Sequence, residues 1–168
     1  MVLTTSELIA SLQNEVRILL HLAGKVDRAR LDYRPTPTQR STIELLKYSS
    51  MMGPTLVQYA LSDTPDPNLW TGAAQAAEAR DFDETLAAIA AQADTYATLL
   101  AGVADADFRA EATGIDGHKT SRGALIVNMV LSGCAAYRMQ LFLYLKACGR
   151  EELATMNLWA GVDAPAAV

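Results

Sequence analysis

The side chains able to do chemistry crowd into one apolar stretch, "VLSGCAAYRMQLFLYLKACG", from Val130 to Gly149. It carries a thiol (Cys134), a phenol (Tyr137), a guanidinium (Arg138) and an amide (Gln140). Plotted on a helix, Gly133, Tyr137, Gln140 and Tyr144 share one narrow arc, Cys134 and Cys148 lie at its edge, and Arg138 lies beyond Cys134. Farther upstream, Glu44, Tyr48, Met51, Met52, Thr55 and Tyr59 also share one helical face. If the two faces meet, Tyr48, Tyr137 and Gln140 converge with Glu44, Cys134 and Arg138 nearby. That set would make a small-ligand pocket with polar anchors. The same residues also fit a packed core in which the tyrosine hydroxyls find partners, Glu44 is only a helix cap and Cys134 a small buried hydrophobe.

Other chemistries have little to stand on. Of the two histidines, His21 falls opposite the apolar stripe of its helix, among Asn14, Arg17 and Lys25, and reads as a solvated surface residue. His118 lies in the turn-rich "GIDGHKTSRG" and reads as an exposed loop residue. No HExxH or CxxC spacing occurs, so no metal and no cofactor is expected. The glycines of that loop do not have phosphate-loop spacing, and the serine pattern of hydrolase elbows is absent.

Helices must position these residues. Leu8, Leu12, Val16, Leu19, Ala23 and Val26 form one stripe of a first helix, opened by the capping-box pair Thr4 and Glu7 and fading near Arg30. The connector "LDYRPTPTQR" holds Pro35 and Pro37, which oppose helix. Ser41 and Glu44 cap a second helix, Thr42 to about Leu61, with a kink expected at Pro54. Residues 62–80 form a long connection with a short helix after Trp70. A third long helix runs from Phe82, capped by Asp81 and Glu84, to about Val103. Turn residues dominate 104–119, with "FRAEA" as a short extended piece. The fourth long helix spans Ser121 to Cys148 and stops at Gly149. A short last helix in "EELATMNLWAG" folds back.

Four such helices predict an all-α four-helix bundle, a single domain over residues 1–168, with a connection between helices 2 and 3 long enough to leave those two parallel. The fourth helix is apolar nearly all round and must be covered on more than one side, by a homodimer partner or by the C-terminal tail. Its length invites a membrane reading, but Arg138 would cost about 3 kcal/mol at a bilayer centre. A net charge of −5 argues against nucleic acid. On one helix, Cys134 and Cys148 would lie about 21 Å apart, whereas a disulfide needs Cα atoms within about 7 Å. Two free thiols fit a cytoplasmic protein. "MVLTTSELIASLQ" shows no signal-peptide pattern.

Two segments resemble the DinB-like (YfiT-like) four-helix bundles. "LDYRPTPTQRSTIELLKY" is similar to that family's approach to helix two, and "GHKTSRGALIVNMVLSGCAAYRMQLFLYLKACG" to its last bundle helix, including the Arg-x-Gln of Arg138 and Gln140. The resemblance implies the fold. It also implies a divalent metal held by three histidines, serving in some members thiol transfer or thiol-dependent isomerisation. Carried over by position, those ligands fall on Tyr48, Gly133 and Tyr137, and none is a histidine. The expectation is therefore a DinB-like protein that has lost the metal triad and keeps a central small-molecule pocket. The alternatives are a metal-independent transferase acting on thiols or small electrophiles, or a dimeric assembly module.

Overall fold

The computed structural model describes residues 3–163. Four long rods form the bundle: α1 (Thr5–Ala23), α2 (Thr42–Leu61), α4 (Phe82–Leu100) and the continuous run of α6 (Arg122–Leu125), a π-helical stretch (Ile126–Leu131) and α7 (Ser132–Ala147). Shorter pieces are α3 (Leu69–Glu78), α5 (Asp105–Arg109) and α8 (Thr155–Ala160). A hairpin joins β1 (Glu111–Thr113) and β2 (Lys119–Ser121), antiparallel with Ala112 opposite Thr120.

The predicted caps form as expected. Thr4 with Glu7, Ser41 with Glu44 and Asp81 with Glu84 each close a reciprocal capping box. Other boundaries move. α1 stops at Ala23 rather than near Arg30, because Gly24 ends it and a separate 3₁₀ turn, Arg28–Arg30, follows. α4 stops at Leu100 rather than Val103. α2, by contrast, keeps its expected bounds, Thr42–Leu61, with Pro54 inside the helix. In the "FRAEA" segment the first residues close α5, and only the last join β1.

Contacts between the rods set their directions. Gln92 donates to the Ser49 carbonyl, and one turn along both helices Tyr96 faces Gly53, so α2 and α4 run parallel. The Tyr96 hydroxyl sits where a Gly53 side chain would stand, which is why that position lacks a β-carbon. Thr5 reaches the Val103 carbonyl and Gln13 the Ala93 carbonyl, so α1 and α4 are antiparallel. The order is up, down, down, up. Leu12, Leu46, Ile89 and Leu141, one from each rod, are fully buried.

At the end of the π-helical stretch both the amide and the hydroxyl of Ser132 bond to the Val127 carbonyl, five residues back. The extra residue resets the phase of α7 against α2.

α8 folds back against α1 and α7. Arg138 donates to the Leu158 carbonyl (2.8 Å), Arg17 to that of Gly161 (3.3 Å), and Lys25 pairs with Asp163 (2.7 Å). This strap corrects the reading of His21. Its side chain is only 17% exposed, with Nε2 3.1 Å from Asn157 and 3.6 Å from Asp163. The helical wheel of α1 registers the bundle core but not a second layer laid over its other face. His118 is exposed in the hairpin loop.

Candidate functional site

The faces singled out on α2 and α7 do meet. The two helices run antiparallel, so their residues pair as rungs. Tyr48 and Tyr137 form one rung, ring centroids 4.9 Å apart and planes inclined by 65°. One turn away, Met52 lies over Gly133: a β-carbon there would stand 3.2 Å from the Met52 methyl and 3.5 Å from its sulfur. These rungs hold the three positions where the resemblance puts metal ligands. Two phenols and a glycine offer no imidazole, and the methionine side chain occupies the space a side chain at 133 would use. The residues present do not fit a divalent ion. Among the described residues, no group of three or more His, Cys, Asp or Glu gathers as a metal cradle.

The remaining central void is about 10 Å³, bounded by Glu15, Ser49, Met52, Gln92, Cys134 and Tyr137. That is room for about one water. Cys134 does reach this centre, but burial pushes its thiol up to about 12, with the nearby Glu15 carboxylate adding to the effect. Arg138 turns toward α1 instead. Its Nε lies 3.3 Å from Glu15, with both side chains largely buried. The two charges are close as an ion pair but not aligned as a hydrogen bond. Burial raises the Glu15 carboxyl above its usual range, and Arg138 pulls it part of the way back.

Gln140 does not join the tyrosines. It donates to the Tyr144 hydroxyl, which itself donates to the Arg40 carbonyl, and faces the connector residues Tyr33, Pro35 and Gln39. At that end of α7 the neighbour is the 31–40 connector rather than the face of α2. Glu44 acts as the cap, accepting from the Ser41 amide at 2.7 Å, and also pairs with Arg34 at 3.2 Å.

Open space lies on the other side of Tyr48. A cleft of about 440 Å³ runs between α2 and α3, lined by Arg40, Lys47, Tyr48, Met51 and Trp70 and also by the acidic residues Glu44 and Glu78. The Arg40 guanidinium sits 3.9 Å above the Tyr48 ring, and Trp70 meets the same ring edge-on at 5.9 Å. Lys47 is engaged by Glu78, through its carbonyl at 2.6 Å and its carboxylate at 3.4 Å. Among the described residues, no carboxylate pairs with Arg40. Burial, with the Tyr137 phenol beside it, pushes Tyr48 up to about 12, so it stays a protonated donor.

Glu15, Gln92, Tyr96, Arg40 and Trp70 were not among the expected site residues. Glu15 carried a readable signal, because it lies seven residues after Leu8 and three after Leu12, on the buried stripe. Arg40 and Trp70 sit at helix starts beside connectors, where periodicity assigns no face.

The architecture is that of the DinB-like four-helix bundles, all-α with one small hairpin. A solved relative in shape is the DinB-like protein YjoA of Bacillus subtilis. It superposes with a TM-score of 0.67 over 87% of this chain and 94% of that one, at 16% sequence identity. No family model matches the sequence, and no curated protein matches it.

Proposed function

We propose that this protein is a DinB-like bundle that has lost the metal triad and binds a small organic anion in the cleft between α2 and α3. The observation that carries the reading is Arg40, an exposed cation laid on the Tyr48 ring, facing Trp70, with no carboxylate partner among the described residues. A cleft of about 440 Å³ suits a compact ligand. A planar carboxylate would stack on the aromatic walls and place its charge at Arg40. Tyr48, held protonated, can donate a hydrogen bond but is a poor base. The transferase alternative loses support from Cys134, whose raised thiol leaves almost no thiolate at neutral pH.

The same reading takes the protein to be cytoplasmic, since Cys134 and Cys148 are free thiols. Arg122–Ala147 is long and apolar enough to span a membrane. However, it lies in the bundle with Arg138 paired to Glu15. A homodimer through α7 would cover Met139 and Leu143, which are 40% and 56% exposed.

Calorimetric titration with indole-3-carboxylate tests the anion site, with neutral indole-3-carboxamide as control. The carboxylate should bind, and Arg40→Gln should weaken it about tenfold. Absence of binding, or binding indifferent to Arg40, overturns the reading. Metal analysis of tag-free protein tests the other half. Near-stoichiometric zinc, nickel or iron, removed by chelator with loss of stability, would sink the claim of a lost metal site.

A further inference from the structure

The cleft beside Tyr48 has a neighbour. A second cleft of about 410 Å³ lies farther along α2, lined by Leu56, Tyr59, Leu69, Trp70 and Ile115. Trp70 walls both. Tyr48, Met51, Thr55 and Tyr59 recur at three- and four-residue steps, so the two clefts share one side of α2. Tyr48 and Tyr59 are separated by roughly 16 Å of helix rise.

The two halves differ in character. Around Tyr48 the surface offers Arg40 as an unmatched cation, because Glu44 is held by the Ser41 cap and Arg34, and Glu78 by Lys47. Around Tyr59 the walls are apolar, and the polar atoms there are largely committed. The Tyr59 hydroxyl donates to the Thr113 carbonyl at 3.0 Å, pinning the hairpin to α2. Asp66 at the rim accepts from the Asn68 amide at 2.8 Å. Two large apolar side chains stand open along this path, Trp70 at 40% and Ile115 at 70% exposed.

We propose that the two clefts form one groove for a single-chain amphiphilic carboxylate. Its head sits at Arg40, and its tail runs past Trp70 to the Tyr59–Ile115 end. This rests on the anion-site reading above and extends it by specifying the length and polarity of the ligand. Charge complementarity fixes the direction, since the only unmatched cation among the residues named for the two clefts is at the Tyr48 end. An extended chain the length of dodecanoate covers most of the helix rise between Tyr48 and Tyr59 and brings its terminal methyl to the near edge of the Tyr59 end.

Titration with butanoate, octanoate and dodecanoate, each below its micelle-forming concentration, tests this, with dodecanol as the uncharged control. Affinity should rise by about one to two orders of magnitude from octanoate to dodecanoate as four methylenes enter the half-open apolar end. Dodecanol should bind more weakly than dodecanoate. Ile115→Asn, at an exposed loop position, should remove the chain-length gain while leaving indole-3-carboxylate binding unchanged. Arg40→Gln should weaken octanoate and dodecanoate by the same factor. If affinity is flat with chain length while indole-3-carboxylate still binds through Arg40, the extended groove is wrong and the anion site stands. If no carboxylate binds in an Arg40-dependent way, both fall. Equal binding of dodecanol and dodecanoate overturns the placement of the head.

Discussion

Tyr48 and Tyr137 meet edge to face with ring centroids 4.9 Å apart, joining α2 to α7 at two of the three positions where the sequence resemblance would put metal ligands. The contact holds the two helices together with aromatic packing. Edge-to-face pairs contribute about 1 kcal/mol beyond the area they bury. A double-mutant cycle on Tyr48→Leu and Tyr137→Leu should therefore give a coupling energy near about 1 kcal/mol in urea denaturation. A coupling of zero would mean that the rings only happen to be near each other.

Putting histidines back is a sharper test of the Met52–Gly133 rung. Tyr48→His, Gly133→His and Tyr137→His together should fail to bind zinc tightly, because the Met52 methyl stands 3.2 Å from the new β-carbon. Adding Met52→Ala should restore stoichiometric zinc, measured by metal analysis after dialysis. Met52→Ala alone should cost about 2–5 kcal/mol, as expected for a fully buried methionine.

The Glu15–Arg138 pair makes a different prediction. Arg138→Met leaves a buried carboxylate without its cation and should cost about 3–5 kcal/mol. The double variant Glu15→Leu with Arg138→Met should recover part of that stability, because two apolar side chains replace two desolvated charges while the Leu158 carbonyl still lacks its donor. Equilibrium denaturation of the three variants decides it, and an additive loss in the double variant would contradict the pair.

The α8 strap should respond to acid. Lys25 holds the Asp163 carboxyl below its usual range by hydrogen bond and charge. A carboxyl lowered in the folded state stabilises above its unfolded value and loses that contribution as pH falls through the folded one. The strap should therefore loosen below about pH 4. In a Trp70→Phe background, Trp159 fluorescence should report the change. Asp163→Asn should abolish the acid transition while leaving the bundle folded.

The bundle was legible in the sequence because each long helix carries its own stripe and its own cap. Thr4, Ser41 and Asp81 each announce a helix start within four residues, a range over which local chemistry is decisive. The convergence of Tyr48 and Tyr137 followed from the same periodicity. What escaped depends on layers that a single helix does not encode. His21 looked solvated until α8 was laid over it. Arg138 looked like a pocket residue until Glu15 appeared across the core. Gln140 shares an arc with Tyr137, yet near its end of α7 the neighbour is a connector, whose path the proline pattern leaves open. Arg40 precedes the Ser41 cap, so no helical face could be assigned to it.

The parallel course of α2 and α4 has an electrical consequence. Both helices begin at the same end of the bundle, so the positive poles of two peptide dipoles point the same way there. Each is answered by a carboxylate in its first turn, Glu44 on one and Asp83 with Glu84 on the other. Arg40 leaves the chain just before this pole, but its guanidinium lies along α2 on the Tyr48 ring, about 9 Å of helix rise past the first residue. The dipoles are thus balanced within their own first turns, and the free cation is carried past them to the mouth of the cleft.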